Sequence, residues 1–306
     1  MNYFNSLIVV TGATASGKSE LAINLAKEFN GELICSDSMQ VYRKLDIGTS
    51  KPSKKEQQLV PHHQIDIVEP NEFYSAGNYE KDTTKIISKI HSRGNVPIIV
   101  GGSGLYFKAL MYGISKIPNI PKIIKERVHN LRIKNGTTYC WEKLKTHDPQ
   151  TAKIIHPNDT YRILRSLEVY FATGSSIRKF QKEQPFAEPR FPFLAIALKW
   201  ERSLLYNRIN QRTNKMLDSG WIEEVENLLK EYPKNSKPFQ SIGYREIIQY
   251  LTGKLKFNQM VELIQQRTRR YAKRQMTWFR KESGLQWFEP KDLSLVSPRI
   301  KVFLEK

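Results

Sequence analysis

Residues 7–19 read Leu7-Ile8-Val9-Val10-Thr11-Gly12-Ala13-Thr14-Ala15-Ser16-Gly17-Lys18-Ser19, and the fold turns on this stretch. Leu7 to Val10 is an apolar run too short for a helix, so it predicts a buried strand. Beyond the loop, Leu21, Ala22, Leu25, Ala26 and Phe29 recur at helical spacing until Gly31 ends the helix. Gly12 to Ser19 fits G-x-x-x-x-G-K-[ST] between that strand and that helix, which is the context the motif requires. Glycines let backbone N–H groups turn inward around phosphate oxygens, and the helix N-terminus adds its positive dipole. Gly12, Ala13, Thr14, Ala15, Ser16 and Gly17 are therefore expected to cradle a phosphate. Lys18 would reach it as a point charge, and the Ser19 hydroxyl would ligate Mg2+. The motif alone is that of a nucleotide-binding loop, including ATP-binding ones, and does not say whose phosphate it holds.

Outward from the loop, Glu32-Leu33-Ile34-Cys35 reads as a second strand ending in Ser36-Asp37-Ser38. Val96 to Val100 is a third, preceded by a helical stretch from Tyr79 to His91 and followed by Gly101-Gly102-Ser103-Gly104. Phe193 to Leu198 is a fourth and Leu285 to Phe288 a fifth. Strands alternating with helices predict an α/β fold, a P-loop-containing doubly wound parallel sheet with ligands at the carboxyl ends of its strands. Between Ser115 and about Pro185 the strand-like runs stop. Three helical candidates remain there, separated by Asn135-Gly136, His147-Asp148-Pro149 and His156-Pro157-Asn158-Asp159. This stretch carries 14 Lys+Arg against 6 Asp+Glu. It reads as a helical insertion domain over residues 116–185, dividing a core made of 1–115 and 186–306.

Composition excludes several classes. With 306 residues, 40% hydrophobic, the chain can bury a real core, which argues against wholesale disorder. No apolar run approaches the ~20 residues that span a bilayer, and Leu7 to Val10 is too short for a signal-peptide core. Two cysteines, Cys35 and Cys140, supply neither a disulfide framework nor a zinc module, so a reducing cytoplasm is the expected address and a monomer the default state. A net charge of +19 points toward a polyanionic partner. His62-His63 is no metal site on this reading, because adjacent side chains point apart and no Cys or further His lies near in sequence.

Nucleotide hydrolases of this architecture usually hold their metal with an Asp at the end of an apolar strand. Here the later strands end in Gly101-Gly102 and Lys199-Trp200, and an acid follows the second strand instead, in Asp37-Ser38-Met39-Gln40-Val41-Tyr42. A carboxylate beside the phosphate loop suits a general base; a helix cap explains Ser-Asp-Ser equally well. Gly101 to Tyr106 opens toward the same crevice, with the Ser103 hydroxyl available. Its glycines serve either ligand approach or tight packing. On a helical wheel, Val261, Ile264, Tyr271, Trp278 and Phe279 share one arc. Arg267, Arg270, Arg274 and Lys281 line one edge of the other arc, and Arg269, Lys273 and Arg280 the other edge. No acid interrupts that run, which favours contact with phosphate.

Taken in order, these motifs resemble the bacterial tRNA dimethylallyltransferases, also called tRNA isopentenyltransferases. The series continues through Leu45-Asp46-Ile47-Gly48-Thr49, Pro61-His62-His63 to Asp66-Ile67, and Tyr74-Ser75-Ala76-Gly77. His156 to Asp159 with Arg162, Arg165 and Glu168-Val169-Tyr170 follows, then Ser241-Ile242-Gly243-Tyr244 and Ala272 to Phe279. The resemblance implies transfer of a dimethylallyl group from dimethylallyl diphosphate to N6 of adenosine 37, just 3′ of the anticodon, in tRNAs reading codons that begin with U. It implies Mg2+ and no ATP hydrolysis. Asp37 and Ser103 become the expected catalytic pair, and the P-loop holds the diphosphate. The expected tRNA contacts are Asp37, Ser38, Met39, Gln40, Ser103, Tyr161, Arg162, Ile163, Leu164 and Arg165, with Tyr244, Arg245, Arg270 and Arg274 serving tRNA or diphosphate. The insertion becomes a mobile clamp on the anticodon arm.

Three positions depart from the family's habit: Met39 where Arg or Ala is frequent, Ser103 for Thr, and Trp221 for Leu. Longer members carry a C-terminal zinc finger, for which two cysteines are too few. Competing readings are an adenylate isopentenyltransferase acting on free AMP, ADP or ATP, a small-molecule kinase, and a non-catalytic tRNA binder.

Overall fold

The computed structural model describes residues 6–115, 117–183 and 188–305. In chain order the first elements are β1 (Leu7–Gly12), α1 (Lys18–Glu28), β2 (Gly31–Cys35), α2 (Lys54–Leu59), β3 (His62–His63), α3 (Ala76–Ser92), β4 (Val96–Gly101) and α4 (Gly104–Tyr112). Next come α5 (Lys122–His147), α6 (Pro149–Ala152), α7 (Thr160–Thr173), α8 (Ile177–Glu183) and β5 (Phe193–Leu198). The chain continues through α9 (Arg202–Asp218), α10 (Trp221–Glu231), α11 (Tyr244–Leu251), α12 (Phe257–Phe279), β6 (Leu285–Phe288) and α13 (Val296–Leu304). The six strands form one sheet in the order β3-β2-β4-β1-β5-β6, every neighbouring pair parallel. The α/β expectation therefore holds, and the five expected strands all form.

The sixth strand, β3, escaped the sequence reading because a two-residue strand has no periodicity. It pairs with Leu33 and Ile34 of β2 and sends the two imidazoles to different partners. His62 Nδ1 meets the Val60 carbonyl at 2.8 Å, and His63 Nε2 meets Glu32 Oε2 at 2.7 Å. Burial alone would push the Glu32 carboxyl up, but hydrogen bonds from Arg93, His63 and Asn95 outweigh it and hold the pKa at about 2. A carboxyl depressed from 4.5 contributes stability at neutral pH that is lost as pH falls through the interval down to about 2. Acid melts of wild type and Glu32→Gln should therefore converge toward the low end of that interval; parallel curves would contradict the pairing.

The chain forms two compact units, Met1–Met111 with Pro189–Lys306, and Tyr112–Glu188. The expected junctions at 115/116 and 185/186 fall on or beside residues outside those described. In the first unit, strands β1, β2 and β4 alternate their side chains between the two helical layers. Ile8, Val10, Leu33, Ile98, Val100, Leu194 and Ile196 pack with Ala22, Leu25 and Ala26 of α1 and with Val296 and Ile300 of α13.

The second unit has its own core of Val128, Cys140, Leu144, Ala152, Ile155, Ile163 and Leu167. The stretch labelled α5 is two helical segments joined by a kink at Gly136 (φ 82°, ψ 174°), so Asn135-Gly136 separates helices as the sequence predicts. The His156 to Asp159 motif is a cap: Asp159 Oδ1 accepts the Arg162 N–H at 3.2 Å and starts α7. No helix among the described residues is long and apolar enough to cross a membrane.

Candidate active site

Sheet register explains why three distant motifs meet. Thr11 lies opposite Gly101 on neighbouring strands, and Cys35 lies opposite Val100. The segments that follow, starting at Gly12, Ser36 and Gly102, thus leave the sheet at one level, the carboxyl end where such folds bind ligands. They open on a crevice of about 540 Å³ lined by the P-loop, Lys18, Ser19, Cys35, Asp37, Gln40, Arg212, Tyr271 and Gln275 among others.

The loop is held from outside. Thr14 N–H donates to Gln275 Oε1 at 2.9 Å, and the Trp200 indole N–H donates to the Ser16 carbonyl at 2.9 Å. Arg208 Nε donates to the Ala15 carbonyl at 2.9 Å, and Arg212 Nη1 to Thr14 Oγ1 at 2.9 Å. Gly17 (φ 91°) and Ala15 (φ 64°) take left-handed conformations, the second unusual for a residue with a Cβ and concentrated at functional loops. Helices α9 and α12 reach the loop through a small apolar cluster of Ala13, Leu205, Ile209 and Ala272. Lys18 Nζ lies 3.3 Å from the Ala13 carbonyl. Its pKa is lowered to about 8 by burial and by Arg212, with Asp37 partly opposing.

Asp37 lines the crevice and receives the Met39 N–H on Oδ1 at 2.8 Å, a local turn that fixes the carboxylate. Ser103 Oγ accepts the Ser38 N–H at 3.2 Å, and Ser103 N–H donates to the Ser36 carbonyl at 3.1 Å. Ser103 thereby braces the segment carrying Asp37. The glycines beside it serve packing. A Cβ on Gly101 would lie 2.1 Å from the Ser36 carbonyl oxygen, on Gly102 2.1 Å from Gln275 Nε2, and on Gly104 2.4 Å from the Trp278 ring. Gly101→Ala is expected to cost about 1–3 kcal/mol from overpacking and to displace Asp37. Thermal melting alongside a transfer assay checks both, and a wild-type melt would contradict the contact.

Other expected contacts are distributed differently. Gln40 spends its amide internally, donating to the Thr49 and Ser50 carbonyls at 3.0 and 3.2 Å and accepting the Cys35 thiol at 3.0 Å. Ser38 and Met39 are partly exposed. On α7, Tyr161 is 79% exposed and Arg162 is exposed, whereas Ile163 is fully buried and Leu164 packs on the same core. A helix turns such neighbours to different faces, so Ile163 sits on the core face of α7 and Tyr161 and Arg162 on its solvent face. Arg165 pairs with Glu168 at 3.1 Å.

Tyr244, expected to serve tRNA or diphosphate, is likewise buried, its hydroxyl donating to Glu224 Oε1 at 2.6 Å. Arg245 and Arg267 both pair with the buried carboxylate of Glu246, and Arg269 donates to Asn210 at 2.7 Å. Arg270 and Arg274 remain exposed, Arg274 lying over the Tyr271 ring.

Sequence reading missed Gln275 and the α9 stripe of Arg208, Arg212 and Lys215. All four line the crevice. The three basic residues follow i, i+4, i+7 spacing, the periodicity that puts them on one helix face.

Among the described residues no group of three or more His, Cys, Asp or Glu could hold a metal. The exposed Ser19 hydroxyl at the crevice mouth fits Mg2+ carried mainly by phosphate oxygens and water, the usual habit of that ion.

The profile of IPP transferase matches residues 40–282. A tRNA dimethylallyltransferase of Caldanaerobacter subterraneus is 46% identical over 287 residues, covering 92% of this chain and 91% of the relative. One from Carboxydothermus hydrogenoformans is 42% identical over 301 residues, covering 98% and 96%. The full-length tRNA isopentenylpyrophosphate transferase of Bacillus halodurans superposes with a TM-score of 0.73 at 35% identity, covering 98% and 97%. A eukaryotic dimethylallyltransferase solved acting on tRNA superposes at 0.79 and 32%, covering 95% of this chain and 75% of that one. With a profile match spanning most of its length and relatives this similar over nearly all of it, the chain belongs to the IPP transferase family.

Proposed function

We propose that the protein transfers dimethylallyl from dimethylallyl diphosphate to N6 of adenosine 37 in tRNA. The observation that carries this reading is the placement of a carboxylate, Asp37, in the same crevice as a complete phosphate-binding loop. The C1–O bond to diphosphate breaks, the C1–N6 bond forms, and the N6 proton passes to the Asp37 carboxylate. Adenine N6 is a poor nucleophile because its lone pair is delocalised into the ring, so a base that takes the proton as the bond forms lowers the barrier. The allylic carbon bears positive character as the leaving group departs. Stabilising the diphosphate is therefore the larger task, and it falls to the P-loop N–H groups and Lys18, with Arg208 and Arg212 behind them. The Ser19 hydroxyl would hold Mg2+, which would supply further neutralisation of the diphosphate. Ser103 holds the Asp37 segment and offers its hydroxyl to the adenosine.

An adenine stacked in the anticodon loop must be extruded to reach such a crevice. RNA grip is assigned to exposed cations and an aromatic, Arg270 and Arg274 on α12 and Tyr161 and Arg162 on α7. Two buried free thiols, Cys35 and Cys140, suit a reducing cytoplasm. The relatives' names favour tRNA over a free nucleotide as acceptor. Labelled dimethylallyl diphosphate offered to an anticodon stem-loop together with excess AMP separates the two. Label is expected in the RNA alone, and label in AMP would overturn the acceptor.

A further inference from the structure

Two motifs have no part in the chemistry above, Leu45 to Thr49 and Ser241 to Tyr244, although nearly 200 residues separate them. They meet at one side chain. Glu224 on α10 accepts the backbone N–H groups of Asp46 and Ile47 on Oε2 at 2.8 and 2.7 Å. On Oε1 it accepts Gly48 N–H at 3.1 Å and the Tyr244 hydroxyl at 2.6 Å. Three successive backbone donors on one carboxylate form an anion nest, here filled by the protein itself.

Beneath it lies Trp221, 2% exposed and edge-on to Tyr244 with ring centroids 5.8 Å apart. A Cβ on Gly48 would lie 2.0 Å from the Trp221 ring nitrogen, and one on Gly243 2.0 Å from the other end of the same ring. Both glycines are therefore required by the indole.

The braced turn leads straight to the site. Gln40 Nε2 donates to the carbonyls of Thr49 and Ser50, tying the turn to the segment that carries Asp37. Arg212 donates from Nε to Ser50 Oγ at 2.9 Å and from Nη1 to Thr14 Oγ1 at 2.9 Å, tying the same turn to the P-loop. The turn at 46–50 is thus linked through Gln40 to the segment that carries the base and through Arg212 to the leaving-group site.

We propose that Glu224, with Tyr244 and Trp221, is a positioning residue that sets the separation between the Asp37 carboxylate and the phosphate loop. The proposal rests on the prenyl-transfer reading. Its effect belongs to the chemical step, because Glu224, Tyr244 and Trp221 are not among the residues that line the crevice. Diphosphate affinity comes from the P-loop, and RNA affinity comes mostly from phosphate contacts.

Glu224→Gln puts an NH2 against backbone donors that need an acceptor, loosening the turn without removing volume. A misplacement of reacting groups by ~1 Å costs up to about 100-fold in rate. Single-turnover transfer by Glu224→Gln should fall about 30-fold or more, with dissociation constants for stem-loop and inorganic diphosphate within about threefold of wild type. Tyr244→Phe, which removes one of the four donors, should fall about fivefold in the same step alone. A wild-type rate in Glu224→Gln, or a loss shared equally by both affinities, overturns the proposal. Should Glu224→Gln fail to fold, Tyr244→Phe decides by the same criteria. Wild-type protein that transfers nothing to the stem-loop would instead overturn the functional reading itself.

Discussion

Replacing Asp37 by asparagine is expected to slow dimethylallyl transfer by about 10³-fold while leaving stem-loop affinity within about twofold. Asparagine keeps an oxygen for the Met39 N–H, so the local turn that fixes residue 37 survives. What disappears is the carboxylate that accepts the proton. RNA affinity rests mainly on phosphate contacts made elsewhere, so binding and chemistry separate cleanly in this variant. Single-turnover transfer with saturating stem-loop and donor measures the chemical step. A variant within tenfold of wild type would remove Asp37 from the role of base.

The second large effect concerns Lys18. Lys18→Met should lower kcat/KM for dimethylallyl diphosphate by about 10²–10³-fold, the usual cost of deleting one charge-stabilising donor. Lys18 also gives the reaction a pH signature. Burial and Arg212 hold its pKa at about 8, below the ordinary 10.5 of a lysine, against the partial opposition of Asp37. The diphosphate requires the protonated form. With rising pH that form is lost through the lowered pKa, so kcat/KM should be level below about 8 and then fall about tenfold per pH unit. Lys18→Arg keeps the charge at every accessible pH and should abolish that alkaline limb, even if its overall rate is lower. An alkaline limb unchanged in the arginine variant would assign the titration to another group.

How far the sequence alone reached follows the range of the interactions involved. The P-loop was legible because its chemistry is local: a short strand, glycines and a lysine within one stretch. The five longer strands were legible from their apolar runs, and β3 was not, because its two histidines are recruited by Leu33 and Ile34 of a neighbouring strand. Asp37 was legible as a candidate, but a helix cap fitted its spacing as well, and only the register of β1, β2 and β4 brings it to the phosphate loop.

The basic run on α12 shows the opposite failure. No acid lies within it, yet the fold carries in Glu246, which occupies Arg267, and Asn210, which occupies Arg269. The motif from Tyr161 to Arg165 reads as one unit in the sequence, whereas the helix divides it between a solvent face and a core face that holds Ile163. Gln275 is a polar residue on the inner face of α12, and an apolar wheel gives no reason to single it out. Its amide nevertheless joins Thr14 to the Gly102 carbonyl.

The central claim is that this chain makes N6-(dimethylallyl)adenosine in tRNA through Asp37. Mass analysis of nucleosides from digested tRNA tests it most directly, in cells lacking the gene and in the same cells given back wild type or Asp37→Asn. N6-(dimethylallyl)adenosine and its thiolated derivative should vanish without the gene, return with wild type and stay absent with the variant. Unchanged levels in the deletion, or full restoration by Asp37→Asn, would contradict the account.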